Sequence, residues 1–225
     1  MAGDDWRVRI DFQRALTAPE GAREVLLVRH GACDPPATVG DLIGGRSDPS
    51  LNERGRREAA AVTEALSGLE ISATFTTPLR RTGETAAATA AEHGLDPEVV
   101  ADLVEIYLGE WEGPGIHERG ARGDAEFVRV MREQRWDLIP GAESATGFAE
   151  RVRRGLEHVA DAAGDGKVAV AFTHSAVIAE CLRQVSGSEP FAFLLNANGS
   201  YSRLYRMPDR RWVVASFNET DHLRD

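Results

Sequence analysis

The sequence predicts a single α/β domain built on a largely parallel sheet. Two observations carry this. Short apolar runs of strand length alternate along the chain with stretches of helical periodicity. The run Lys167–Phe172 (Lys-Val-Ala-Val-Ala-Phe) is almost wholly apolar, as a strand covered on both faces must be. Length agrees: 225 residues, 42% hydrophobic and 28% charged, can bury one sizeable core without a metal or disulfide staple.

The elements follow in order. Glu24 to Val28 is a short apolar run after Gly21 and reads as a buried strand. Arg29 to Arg46, with Pro35, Pro36 and four glycines, reads as a loop. Asn52 to Leu69 is a helix: Asn52 can cap it, and Ala59, Val62, Leu66 and Leu69 share a face. Ile71 to Thr76 is a second strand. Arg80 to His93 is alanine-rich and helical, closed by Gly94. Glu98 to Val104 is expected as a short strand, and Tyr107 to Gly123, with five glycines, as irregular chain. Asp124 to Trp136 and Ser144 to Ala163 are helical, the latter with Phe148, Val152, Leu156 and Val159 on one stripe. A helix over Ala176 to Val185 follows the Lys167–Phe172 strand. Tyr201 to Met207 and Arg211 to Phe217 pair as late strands across a turn at Pro208 to Arg210. Before Glu24, the alternation of Trp6, Val8, Ile10 and Phe12 suggests an added edge strand.

Charge narrows the function. Twenty-six basic against 36 acidic side chains give −10, which disfavours nucleic-acid and acidic-membrane partners. No run approaches the roughly 20 apolar residues of a membrane helix. Met1 to Arg14 lack the apolar core of a signal peptide, so a cytoplasmic setting is expected. Cys33 and Cys181 are too far apart in sequence to read as a metal pattern or a disulfide framework. No His-Glu-x-x-His, acidic calcium loop, Walker loop or Gly-x-Ser-x-Gly is present, so neither metal nor cofactor is expected. Asn198-Gly199-Ser200 matches the glycosylation pattern but carries nothing without a secretory signal.

In an open parallel sheet the ligand sits beyond the carboxyl ends of the strands. Three predicted strands end in suggestive residues: Arg29-His30-Gly31, Thr77-Pro78-Leu79-Arg80-Arg81, and Thr173-His174-Ser175. Two histidines and two or three arginines at one edge point to an anion, most simply a phosphoryl group. A helix starting at Ser175 adds backbone N–H donors.

From about Leu26 onward the chain resembles the histidine phosphatase superfamily, phosphoglycerate-mutase-like branch 1. Arg29-His30-Gly31 matches its signature after the first strand. Gly44 to Gly55, with Asp48 and Leu51, and Thr77 to Ala86, with Arg81 at the family arginine, resemble two further blocks. Leu103-Val104-Glu105-Ile106 with Gly109, Trp111, Glu112 and Gly113 resembles another, as do Pro140 to Ser144 with Arg151, and Thr173-His174. The chain departs from the pattern at Ala32-Cys33-Asp34, where the family has Glu-Thr or Glu-Ser, at Thr77 in place of Ser, and at Ser175 in place of Gly.

The resemblance implies a single-domain, three-layer sandwich over residues 24–225, with 1–23 as an N-terminal extension. It implies His30 as a nucleophile forming a phosphohistidine, and Glu105 as general acid and base. Arg29, Arg81, His174 and Ser175 would bind the phosphoryl group, with His174 also counted in the catalytic set. The activity implied is hydrolysis of a small phosphorylated metabolite. A mutase or a non-catalytic phospho-ligand binder are the alternatives. Only Pro114 to Ile139 separates the Trp-Glu-Gly block from Pro140, too little for the long insertion that shields a mutase site from water, so hydrolysis is favoured. Substrate walls are expected from Cys33 to Arg46 and Tyr107 to Trp136. His117, Arg119 and Arg122 are candidates for a second anion.

Overall fold

A computed structural model describes residues 21–34, 47–113, 115–164 and 166–224. The alternation proposed for Trp6 to Phe12 and the loop over 35–46 lie outside them.

Among the described residues six strands form one sheet. In chain order they are β1 (Arg23–Arg29), β2 (Ile71–Thr76), β3 (Glu98–Val99), β4 (Val168–Thr173), β5 (Tyr201–Arg206) and β6 (Trp212–Glu219). Their spatial order is β3-β2-β4-β1-β5-β6. The first four run parallel; β5 is antiparallel to β1, and β6 to β5. The expected α/β class and mostly parallel sheet are therefore present.

Helices α1 (Glu53–Leu66) and α2 (Arg80–Glu92) cover one face. The pleat explains the sorting. Leu26 and Val28 of β1 and Val170 and Phe172 of β4 pack on that face with Val62, Leu66 and Ala86. Val25, Leu27, Ala169 and Ala171 turn to the other. There they meet Leu156 and Val159 of α5 (Ala145–Ala162) and Ile178 and Leu182 of α6 (Ser175–Ser186). The middle of each strand, Val25 to Val28 and Val168 to Phe172, is apolar because both of its faces are covered.

Sequence and structure part at two places. The strand expected over Glu98–Val104 is only Glu98–Val99. After Val100 donates to the Thr76 carbonyl at 2.8 Å, the chain turns inward through a 3₁₀ turn, Ala101–Leu103, that buries Leu103. The stretch expected to be irregular holds a helix, α3 (Gly115–Arg122), whose glycines mask its periodicity; α4 (Ala125–Glu133) follows. Caps fall where the sequence offers them: Asn52 accepts from Gly55 at 2.9 Å and Ser144 from Gly147 at 3.1 Å. Among the described residues no helix is long and apolar enough to cross a membrane.

Candidate active site

The topology makes the site. β1 and β4 are parallel neighbours with Arg29 opposite Thr173, so the next residue of each strand, His30 and His174, emerge side by side. Their rings lie 5.3 Å apart, edge to face. β2 flanks β4 and delivers Thr77 and, in the first turn of α2, Arg81. The inward 3₁₀ turn after β3 brings Glu105 to the same edge.

The backbone around His30 is clamped. His30 N–H donates to the Thr173 carbonyl at 3.0 Å, and Gly31 N–H to the Thr85 hydroxyl at 3.0 Å. A Cβ on Gly31 would lie 2.5 Å from the Gly55 carbonyl oxygen, and one on Gly55 2.0 Å from that of Ala32. The start of α1 can approach this loop only because both positions are glycine. Glu58, buried in α1, accepts from Ala32 N–H at 2.7 Å.

Side-chain bonds fix the imidazoles. His30 Nδ1 lies 2.8 Å from the Gly31 carbonyl, which can only accept, so Nδ1 carries the proton and Nε2 the lone pair. Arg81 Nε donates to that Nε2 at 3.2 Å, and its Nη1 to the Ser47 carbonyl at 2.7 Å. His174, wholly buried, bonds through Nε2 to the Thr77 hydroxyl at 3.0 Å. Thr77 in turn meets Thr82 at 3.0 Å. Among the described residues, Arg29 Nε and His174 Nδ1 are buried without a partner.

Electrostatics follow from burial beside two guanidinium groups. Burial, then Arg81 and Arg29, hold His30 well below the usual histidine range. Burial, Arg81 and then His30 do the same to His174. Both rings are neutral at physiological pH. Glu105 moves the other way: burial raises its carboxyl, outweighing N–H bonds from Ile106 (3.0 Å) and Ala176 (3.4 Å) and the charge of Arg81.

The neighbouring residues separate from this group. Arg80 is exposed; its N–H meets Asp48 at 2.5 Å and its guanidinium contacts Ser50 and Glu84. Glu112 accepts from Leu108 N–H at 2.8 Å, and Glu110 is exposed. The Ser175 hydroxyl donates to the Leu194 carbonyl at 2.7 Å. Arg119 lies over Trp111 and pairs with Asp124 and Glu126, while Arg122 pairs with Glu118. Trp111 is buried and forms core. The His117 side chain lies outside the described residues.

Sequence reading missed the segment before β5. The Asn196 carbonyl accepts from Arg29 Nη1, and Asn198 Nδ2 donates to the His30 carbonyl at 2.9 Å. Gly199 N–H donates to the Arg29 carbonyl at 3.1 Å. This Asn- and Gly-rich turn holds the end of β1 in place. Its signal was visible in Asn198-Gly199-Ser200, noted above only as a glycosylation pattern.

The pattern that defines the histidine phosphatase superfamily (branch 1) matches residues 25–220. A metal-independent phosphoserine phosphatase of Arabidopsis thaliana is 29% identical over 232 residues, covering 98% of this chain and 93% of its own. The structure of a mycobacterial glucosyl-3-phosphoglycerate phosphatase is 26% identical with a TM-score of 0.71, covering 88% of this chain and 99% of that one. A phosphoglycerate mutase from Bacillus anthracis str. Sterne superposes with a TM-score of 0.76 at 19% identity, covering 91% of this chain and 96% of that one, a likeness of fold. The match runs through all six strands, and the chain belongs to branch 1 of the histidine phosphatase superfamily.

Proposed function

We propose that this protein is a metal-independent phosphomonoesterase that hydrolyses small phosphorylated metabolites through a phosphohistidine on His30. One observation carries the reading: a histidine with its lone pair on Nε2 stands beside the buried Arg81 and close to the half-buried Arg29, with a carboxyl whose pKa burial raises at the same edge. Relatives named for phosphoserine and for glucosyl-3-phosphoglycerate support the substrate class.

His30 Nε2 attacks phosphorus as the ester P–O bond breaks, and the leaving oxygen takes the proton from Glu105. For that attack Arg81 first exchanges His30 Nε2 for a phosphoryl oxygen, which frees the lone pair. Arg29 Nε and His174 Nδ1, both buried without a partner, donate to the others. A loose transition state spreads charge over those oxygens, which is where fixed donors act most strongly. In the second half, water attacks phosphorus, its proton passes to Glu105, the N–P bond breaks, and inorganic phosphate and neutral His30 are restored. Ser175 contributes its backbone N–H at the start of α6. A cytoplasmic setting belongs to this reading: Cys33 and Cys181 are both free thiols, the state a reducing compartment maintains.

The test is phosphate release from a panel of phosphomonoesters in excess EDTA, with mutase product assayed beside free phosphate. We expect full activity and an acid-labile phosphoryl group trapped on His30. Loss of activity restored by Mg²⁺, or isomerised substrate without free phosphate, would overturn the reading.

A further inference from the structure

Glu105 lies in the chain between two 3₁₀ turns, Ala101–Leu103 and Gly109–Trp111, outside the sheet and the helices. Its carboxylate is oriented by backbone N–H groups, so its position is only as fixed as the main chain beneath it. Most of that main chain is held from one side chain. Arg151 of α5 donates through Nη1 to the carbonyls of Asp102 (2.9 Å) and Val104 (2.6 Å), and through Nη2 to that of Glu105 (3.3 Å). The carbonyl between, Leu103, accepts from Thr173 Oγ1 at 2.8 Å. Four consecutive carbonyls thus meet fixed donors.

The other edge of the guanidinium is forked onto Glu143, with Nε at 2.6 Å and Nη2 at 2.8 Å. The Arg151 guanidinium also lies over the Phe148 ring, 4.8 Å from its centroid. Glu143 closes the bracket, since its N–H donates to the Tyr107 carbonyl at 2.9 Å. Just beyond, Glu110 N–H meets the Pro140 carbonyl at 3.0 Å, and a Cβ on Gly109 would lie 2.2 Å from that oxygen. The segment carrying Glu105 is therefore pinned on both sides by one ion pair.

We infer that Arg151 and Glu143 are positioning residues for proton delivery to the leaving group, acting through the Glu105 segment they bracket. The inference rests on the acid role given to Glu105 above. It makes a demand that a purely structural role does not. kcat/KM reports only the steps through departure of the alcohol, and a proton is needed there only when the leaving oxygen is strongly basic. Phenol, with a pKa of about 10, needs it; p-nitrophenolate, a far weaker base, does not.

The experiment measures kcat/KM for phenyl phosphate and p-nitrophenyl phosphate in Arg151→Lys, Glu143→Gln and Glu105→Gln. Lysine keeps the charge but cannot span the carbonyls and the carboxylate together. The ratio of the two substrates is read within one preparation, so a partly unfolded variant does not distort it. We expect the ratio to fall about tenfold in Arg151→Lys and Glu143→Gln, and further in Glu105→Gln. An unchanged ratio in the first two beside a lowered one in Glu105→Gln overturns the positioning role. An unchanged ratio in Glu105→Gln overturns the acid role itself.

Discussion

His30→Ala turns over phosphomonoesters about 10⁴-fold more slowly than the wild type, or worse, because the covalent route closes and none of the described neighbours replaces it. Glu105 is a weak nucleophile, to which the proposed mechanism gives the proton transfers, and His174 offers Nε2 to Thr77. Phosphate binding should survive in the variant, since Arg29, Arg81 and His174 remain, so inorganic phosphate should still raise its melting temperature. Steady-state turnover and a thermal-shift titration check the two halves. Turnover near the wild-type rate would remove His30 from the mechanism.

Arg81→Met lowers kcat/KM by about 10²–10³-fold, the effect of losing one donor aimed at developing charge. The same change moves a pKa, and its sign follows from the charges. Arg81 is the largest influence after burial holding His30 below the ordinary histidine range. In the wild type His30 therefore stays neutral until pH falls well below 6.5, and the acid limb of kcat/KM lies there. Without that cation the charged imidazole is less disfavoured, so the limb moves up toward 6.5. Arg80→Met is the control: its guanidinium sits on Ser50 and Glu84 in an exposed position, and neither rate nor limb should move. A pH–rate profile of the three proteins decides it. An Arg80 variant that reproduced the Arg81 loss would exchange the two assignments.

Much of this site was legible in the sequence. β1 and β4 announced themselves because strands buried on both faces lose the polar alternation that confuses shorter elements. His30 and His174 could be paired from sequence because parallel strands of similar length end at one edge. Arg80 and Arg81 could not be told apart by composition. Which one turns inward depends on the phase of α2, and the helix buries Arg81 together with Thr82, Thr85 and Ala86. Glu105 was named through the family resemblance alone; residue types did not separate it from Glu110 and Glu112, since a 3₁₀ turn rather than a strand carries it in. Asn196 and Asn198 were missed because their work is done largely through backbone groups and amide donors, which leave no periodicity. Arg151 stood in a recognisable block, but three carbonyl acceptors cannot be read from residue types at all.

The strand order has a consequence for synthesis. β1 is the first described strand to leave the ribosome, yet its partners on both sides, β4 and β5, come from the last third of the chain. Until they emerge, Val25 to Val28 present a bare apolar edge with no neighbour in the nascent chain to pair with. The arrangement that sets two distant histidines side by side thus obliges the growing polypeptide to carry this apolar segment unpaired through most of translation.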